Sequence, residues 1–129
     1  MTKRVVVTGM ALSSPLGSAV ETAYERLKTF ENCTLYSKEL ENIKGLHSKL
    51  LTKVQDFVVP DNFTRKVTRT MGKVALMSVV TAQQALEDAG LINNEIISSG
   101  ETGVSYGSSN GSIDAMLEFY SMSANRELK

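Results

Sequence analysis

The sequence predicts an α/β fold, and three observations carry that expectation. Residues 4–8 read Arg-Val-Val-Val-Thr and close at Gly9, a short β-branched run of the kind that parallel sheets bury on both faces. Residues 102–106 form a second candidate strand, and a loop rich in Gly and Ser follows each run. An apolar stripe at helical spacing follows each loop, so the order strand, loop, helix occurs twice.

In chain order, residues 4–8 are the first expected strand. After a loop through Ser13, Ser14, Pro15 and Gly17, Ser18 stands three residues before Glu21, the spacing of a capping box, and a helix is expected to start there. Val20, Ala23, Tyr24 and Leu27 give it one apolar face as far as about Phe30. Residues 31–63 hold scattered apolar positions and two breakers, Gly45 and Pro60; the stretch is too long for a bare loop and reads as short irregular elements. From Thr64 the pattern sharpens. Val67, Met71, Val74, Ala75, Ser78, Ala82, Leu86 and Ala89 recur at steps of three and four, and Gly90 falls where a left-handed C-cap belongs. Met77, Val79 and Val80 lie off that stripe, so this helix is expected to be covered on more than one side. Residues 91–100 connect to the second strand. Beyond the following loop, Ile113, Met116, Leu117, Tyr120 and Ala124 mark another helix, with Asp114 near its positive end. No fixed-period repeat and no linker composition divides the chain, so residues 1–129 are expected to form one segment without an internal boundary.

Composition narrows the function. The chain has 129 residues, 42% hydrophobic and 22% charged, which suits a packed globular core rather than a disordered or fibrous chain. Fourteen Lys plus Arg balance fourteen Asp plus Glu, and zero net charge argues against a dedicated nucleic-acid or anionic-lipid binder. No apolar run nears the ~18 residues of a membrane span. The basic start precedes an apolar stretch too short for a signal peptide, so a cytoplasmic protein is expected, with neither membrane nor nucleic acid as partner. The glycosylation-like triplets at Asn32, Asn62 and Asn110 then read as chance. One Cys and one His fall short of the four ligands of a structural zinc site, and no metal is expected.

Few residues invite chemistry. Glycine-rich loops before helices can bind phosphate, but the first lacks the G-x-G-x-x-G rhythm and the second lacks the lysine of a P-loop. Tight turns and helix caps explain both, and no cofactor is expected; a Rossmann-like nucleotide-binding domain stays as an alternative. Cys33 lies between Asn32 and Thr34, past a helix end and without a base beside it, and reads as structural. His47 has no adjacent carboxylate to orient it and reads as a loop histidine. Arg65, Lys66, Arg69 and Lys73 line a helix face beside the apolar one, either as a solvated face or as cations that steer an acidic partner or a phosphate group.

These pieces, taken together, resemble a known family. Arg4-Val5-Val6-Val7-Thr8-Gly9-Met10 with Ser14-Pro15-Leu16-Gly17 resembles the opening of the β-ketoacyl-acyl-carrier-protein synthases, condensing enzymes of thiolase-like fold. Arg65-Lys66, residues 69–77 and residues 85–91 resemble the family's long N-terminal helix, and residues 103–112 its next strand and glycine-rich turn. Ala11 departs from the pattern, since the family usually has a second glycine there, and marks a divergent member. The resemblance implies the N-terminal part of a thiolase-like layered α/β fold with an incomplete sheet, truncated before the catalytic Cys. It implies a fragment of a 3-oxoacyl-acyl-carrier-protein synthase, which condenses an acyl thioester with malonyl-carrier protein in fatty-acid or polyene/polyketide-like biosynthesis. Acyl carrier protein and malonyl-carrier protein would be partners of the intact enzyme, itself a homodimer. The family's nucleophilic Cys in a Ser-Ala-Cys-like context and its two downstream histidines do not occur in these 129 residues. Neither Cys33 nor His47 inherits a catalytic role, and the chain alone is expected to be inactive. Ser109 and Asn110, on the turn after Tyr106, fall where the family places residues beside the acyl tunnel and are the acyl-pocket candidates. A non-catalytic interaction protein derived from a synthase is the remaining alternative.

Overall fold

The computed structural model describes residues 3–125. Its elements are α1 (Val20–Lys28), β1 (Leu35–Tyr36), β2 (Leu50–Leu51), α2 (Arg65–Thr68), α3 (Lys73–Asp88) and α4 (Ile113–Asn125), with 3-10 turns at Lys38–Asn42 and Glu95–Ile97. They fall into two compact units. One takes residues 11–58; the other joins the residues up to Met10 with those from Val59 onward. Neither junction carries a change of composition, which is why the sequence alone marks no boundary there.

In the unit of residues 11–58, Ser14 and Gly17 exchange backbone hydrogen bonds of 3.1 and 3.0 Å, and the Leu16 amide donates to Ser14 Oγ at 3.2 Å. The Arg26 guanidinium donates to the Leu16 carbonyl at 2.9 Å and ties α1 back to this turn. The expected capping box does not form. The N-cap is Ala19, with no side-chain cap, and Ser18 Oγ donates instead to the Asp56 carbonyl at 3.5 Å. Because α1 starts at Val20, Glu21 stands two residues after the N-cap rather than three, although it still meets the positive end of the helix. Ala23 is the buried centre of the helix. The helix closes through Phe30, whose φ is 55°: Phe30 N–H reaches Leu27 O at 3.2 Å and Glu31 N–H reaches Arg26 O at 2.9 Å, a Schellman motif without its usual glycine.

Residues 31–63 carry short elements, as expected. β1 pairs antiparallel with β2, Leu35 opposite Leu51 and Tyr36 opposite Leu50. The Lys49 ammonium donates to the carbonyls of Leu40 at 2.9 Å and Ile43 at 3.3 Å, meeting acceptors at the end of the Lys38–Asn42 turn. The Tyr36 hydroxyl donates to Glu41 Oε1 at 2.6 Å, and this bond raises the phenol pKa above 10.0.

The other unit is built around α3. The continuous helix expected from Thr64 to Ala89 is two helices, because the chain breaks at Arg69–Gly72 and Gly72 takes an extended conformation (φ −71°, ψ 166°) as the N-cap of α3. The end of α3 follows the sequence. Gly90 is left-handed at φ 68°, with Gly90 N–H to Glu87 O at 3.0 Å and Leu91 N–H to Leu86 O at 2.8 Å. Val80, 2% exposed, is its buried anchor, while Val79 is 41% exposed. The two expected strands are a correction: among the described residues neither 4–8 nor 102–106 joins a ladder, and Val5, Val6, Val7, Val104 and Tyr106 are exposed. β-Branched residues favour a strand only beside a neighbour that accepts their backbone hydrogen bonds and covers their side chains. The apolar positions Ile113, Leu117 and Tyr120 of α4 are exposed in the same way.

Candidate functional site

Both ends of α3 hold loops that the sequence singles out. At its C-terminal end, the Met10 amide donates to Asp88 Oδ2 at 2.8 Å. A Cβ at Gly9 would press on the Ala85 carbonyl oxygen and lie 2.6 Å from the Ala89 nitrogen, so only glycine lets the first loop approach the helix. Several amides of the first loop are engaged: Met10 by a carboxylate, and Ser14, Leu16 and Gly17 within their own turn.

At the N-terminal end of α3, Ser112 Oγ accepts from the Val74 amide at 3.1 Å, across 38 residues of sequence. Gly72 makes this possible, since a Cβ there would overlap both Cβ and Oγ of Ser112. The sequence signal was a glycine interrupting a helical stripe, but nothing local named its partner. Just before Ser112, the Gly111 amide donates to Ser108 Oγ at 3.0 Å and closes the turn that holds Ser109 and Asn110. Both acyl-pocket candidates are exposed on that turn.

The basic residues are distributed otherwise than expected. Arg65 and Lys66 open α2, Arg69 is its C-cap and Lys73 opens α3, so the helix break prevents the four from lining one helix face. All four are exposed, and none forms an ion pair with another described residue. Cys33 is half-buried and His47 exposed, both in the unit of residues 11–58. Among the described residues no cluster of His, Cys, Asp or Glu is arranged to hold a metal, and no helix is long and apolar enough to cross a membrane.

A family model described as the N-terminal domain of β-ketoacyl synthases matches residues 2–128. The chain belongs to the β-ketoacyl synthase family. It is 32% identical over 111 residues to 3-oxoacyl-[acyl-carrier-protein] synthase 1 of Buchnera aphidicola, covering 85% of this chain and 27% of the relative. It is 30% identical over 112 residues to 3-oxoacyl-[acyl-carrier-protein] synthase 2 of Vibrio harveyi, covering 87% of this chain and 26% of the relative. The crystal structure of a β-ketoacyl synthase from Burkholderia phymatum superposes with a TM-score of 0.85 at 36% identity, over 98% of this chain and 31% of that one. The fold is therefore α/β, the N-terminal part of the ketoacyl synthase fold, and the chain spans about a quarter of the length of these curated relatives.

Proposed function

We propose that the chain is the N-terminal scaffold, and part of the acyl-channel wall, of a 3-oxoacyl-acyl-carrier-protein synthase. The observation that carries this reading is the superposition of 98% of the chain on under a third of a β-ketoacyl synthase. In the reaction we assign to the whole enzyme, a thiolate attacks the acyl thioester and releases the carrier's thiol. Malonyl-carrier protein then loses carbon dioxide, and its carbanion attacks the acyl-enzyme, forming the carbon–carbon bond and freeing the thiolate. Histidines and backbone amides stabilise the oxyanions of both steps. We assign that thiolate and those histidines to residues outside these 129. Half-buried Cys33 and exposed His47 belong to the unit of residues 11–58, and Ser109 and Asn110 to the other.

In this reading Ser109 and Asn110 border the acyl chain. The exposed cations Arg65, Lys66, Arg69 and Lys73, which follow one another from α2 into α3, face the carrier protein, because exposed positive charge not engaged in ion pairs steers an anionic partner. The working enzyme is a cytoplasmic homodimer. The chain by itself makes no acyl-enzyme and no ketoacyl product. Mass spectrometry after incubation with acyl-carrier protein tests this; a stable thioester on Cys33 would show that the chain carries its own nucleophile.

A further inference from the structure

We propose that Ser112, seated against Gly72, is the positioning residue that sets where Ser109 and Asn110 stand, and so which acyl-chain lengths the synthase accepts. The proposal rests on the reading of Ser109 and Asn110 as channel wall. Its geometry begins with an N-cap that has no side chain. α3 opens at Gly72, whose carbonyl accepts from Leu76 N–H at 3.0 Å, while the Val74 amide has no local side chain to meet it. Ser112 Oγ supplies that acceptor at 3.1 Å, doing from 38 residues away what an N-cap serine does locally. Because a Cβ at position 72 would occupy the space of the Ser112 side chain, Gly72 and Ser112 act as one joint.

The joint also holds the turn. Ser112 O accepts from Met116 N–H at 3.2 Å and opens α4, and on its other side the Gly111 amide closes the turn on Ser108 Oγ. Neither Ser109 nor Asn110 makes a side-chain hydrogen bond to another described residue, so the backbone on either side fixes their position. Asn110 is two residues from Ser112, a span of at most ~7 Å, too short to absorb a movement of the anchor.

Amide hydrogen exchange in a complete synthase carrying this segment reads this joint. Ser112→Ala is expected to speed exchange at Val74 and Gly111 together, by about tenfold, and Ser112→Asn, whose side-chain oxygen can accept from Val74, to restore both. Faster exchange at Val74 with Gly111 unchanged overturns the proposal, because the cap would then serve α3 alone. In a complete synthase carrying this segment, Ser112→Ala and Gly72→Ala are expected to change the ratio of kcat/KM for long over short acyl thioesters by about fivefold, the scale of a sub-ångström misplacement. Asp88→Ala removes a hydrogen bond at the opposite end of α3 and is expected to leave that ratio unchanged; an equal shift would mean that any loss of stability moves it, and the proposal fails. If Asn110→Phe moves the ratio and Ser112→Ala does not, positioning fails while the channel reading stands. If neither moves it, the channel reading fails and takes the proposal with it.

Discussion

Asn110 is exposed on a turn whose ends are fixed, so a bulky replacement there projects into the space beside the turn rather than into a packed core. In a complete synthase carrying this segment, Asn110→Phe is expected to lower kcat/KM for long acyl groups by about tenfold and to leave short ones within about twofold, since bulk on a channel wall opposes only ligands that reach it. Steady-state kinetics across acyl-chain lengths measures this, and unchanged selectivity would remove Asn110 from the site. Tyr36 gives a second residue-scale test. Its hydrogen bond to Glu41 stabilises the neutral phenol and raises the folded pKa above 10.0, so any stability from this bond is present below pH 10 and is lost as pH rises through the folded value. Phenol titration by ultraviolet absorbance is expected to show a raised midpoint for Tyr36, and Glu41→Ala to return it toward 10.0. A midpoint unaffected by Glu41→Ala would mean that the bond is not held in solution.

The elements owe their ends to backbone chemistry that side chains only partly advertise. α1 closes through Phe30 at φ 55°, a left-handed conformation that costs an L-residue about 1 kcal/mol, and the Phe30 ring is 93% exposed, so little packing offsets the strain. In a complete synthase carrying this segment, Phe30→Gly is therefore expected to stabilise the helix end by about 0.5–1 kcal/mol, read as a rise in the midpoint of thermal or urea unfolding. A lower midpoint would show that the ring has partners that outweigh the strain. The end of α3 needs no such correction, because Gly90 already stands at the left-handed position. Its start was harder to read: the apolar stripe from Val67 to Ala89 runs across the break at Arg69–Gly72, where Ser112 lies against Gly72.

Over the whole molecule, the balance between buried and exposed apolar surface governs behaviour. Ala23 and Val80 are the buried hydrophobic residues among those described, whereas Val5, Val7, Val104, Leu117, Phe119 and Tyr120 are all more than half exposed. Exposed apolar surface and unpaired strand-forming segments promote association. The isolated chain is expected to be oligomeric or molten, and co-expression with the remaining part of a synthase to restore one cooperative transition. Analytical ultracentrifugation and thermal unfolding test this; a monomer with a single sharp transition and dispersed amide NMR peaks would show that these residues suffice for a stable fold.

What the sequence determined by itself is what depends on near neighbours. The helical stripes of α1, α3 and α4, the stop at Gly90, the irregular stretch between α1 and α2, and the ordered motifs of the ketoacyl synthase family were all legible, because periodicity and left-handed caps are set within a few residues. Tertiary structure decided the rest. The N-cap of α1 moved from Ser18 to Ala19, α2 parted from α3 where Gly72 meets Ser112, and the basic residues were divided between the two helices. Among the described residues the valines of residues 4–8 stayed outside any ladder, since a strand exists only when a second segment supplies its hydrogen bonds. The turn bearing Ser109 and Asn110 could be found by motif, but its anchorage could not: a hydroxyl reaching an amide 38 residues away leaves no local pattern to read.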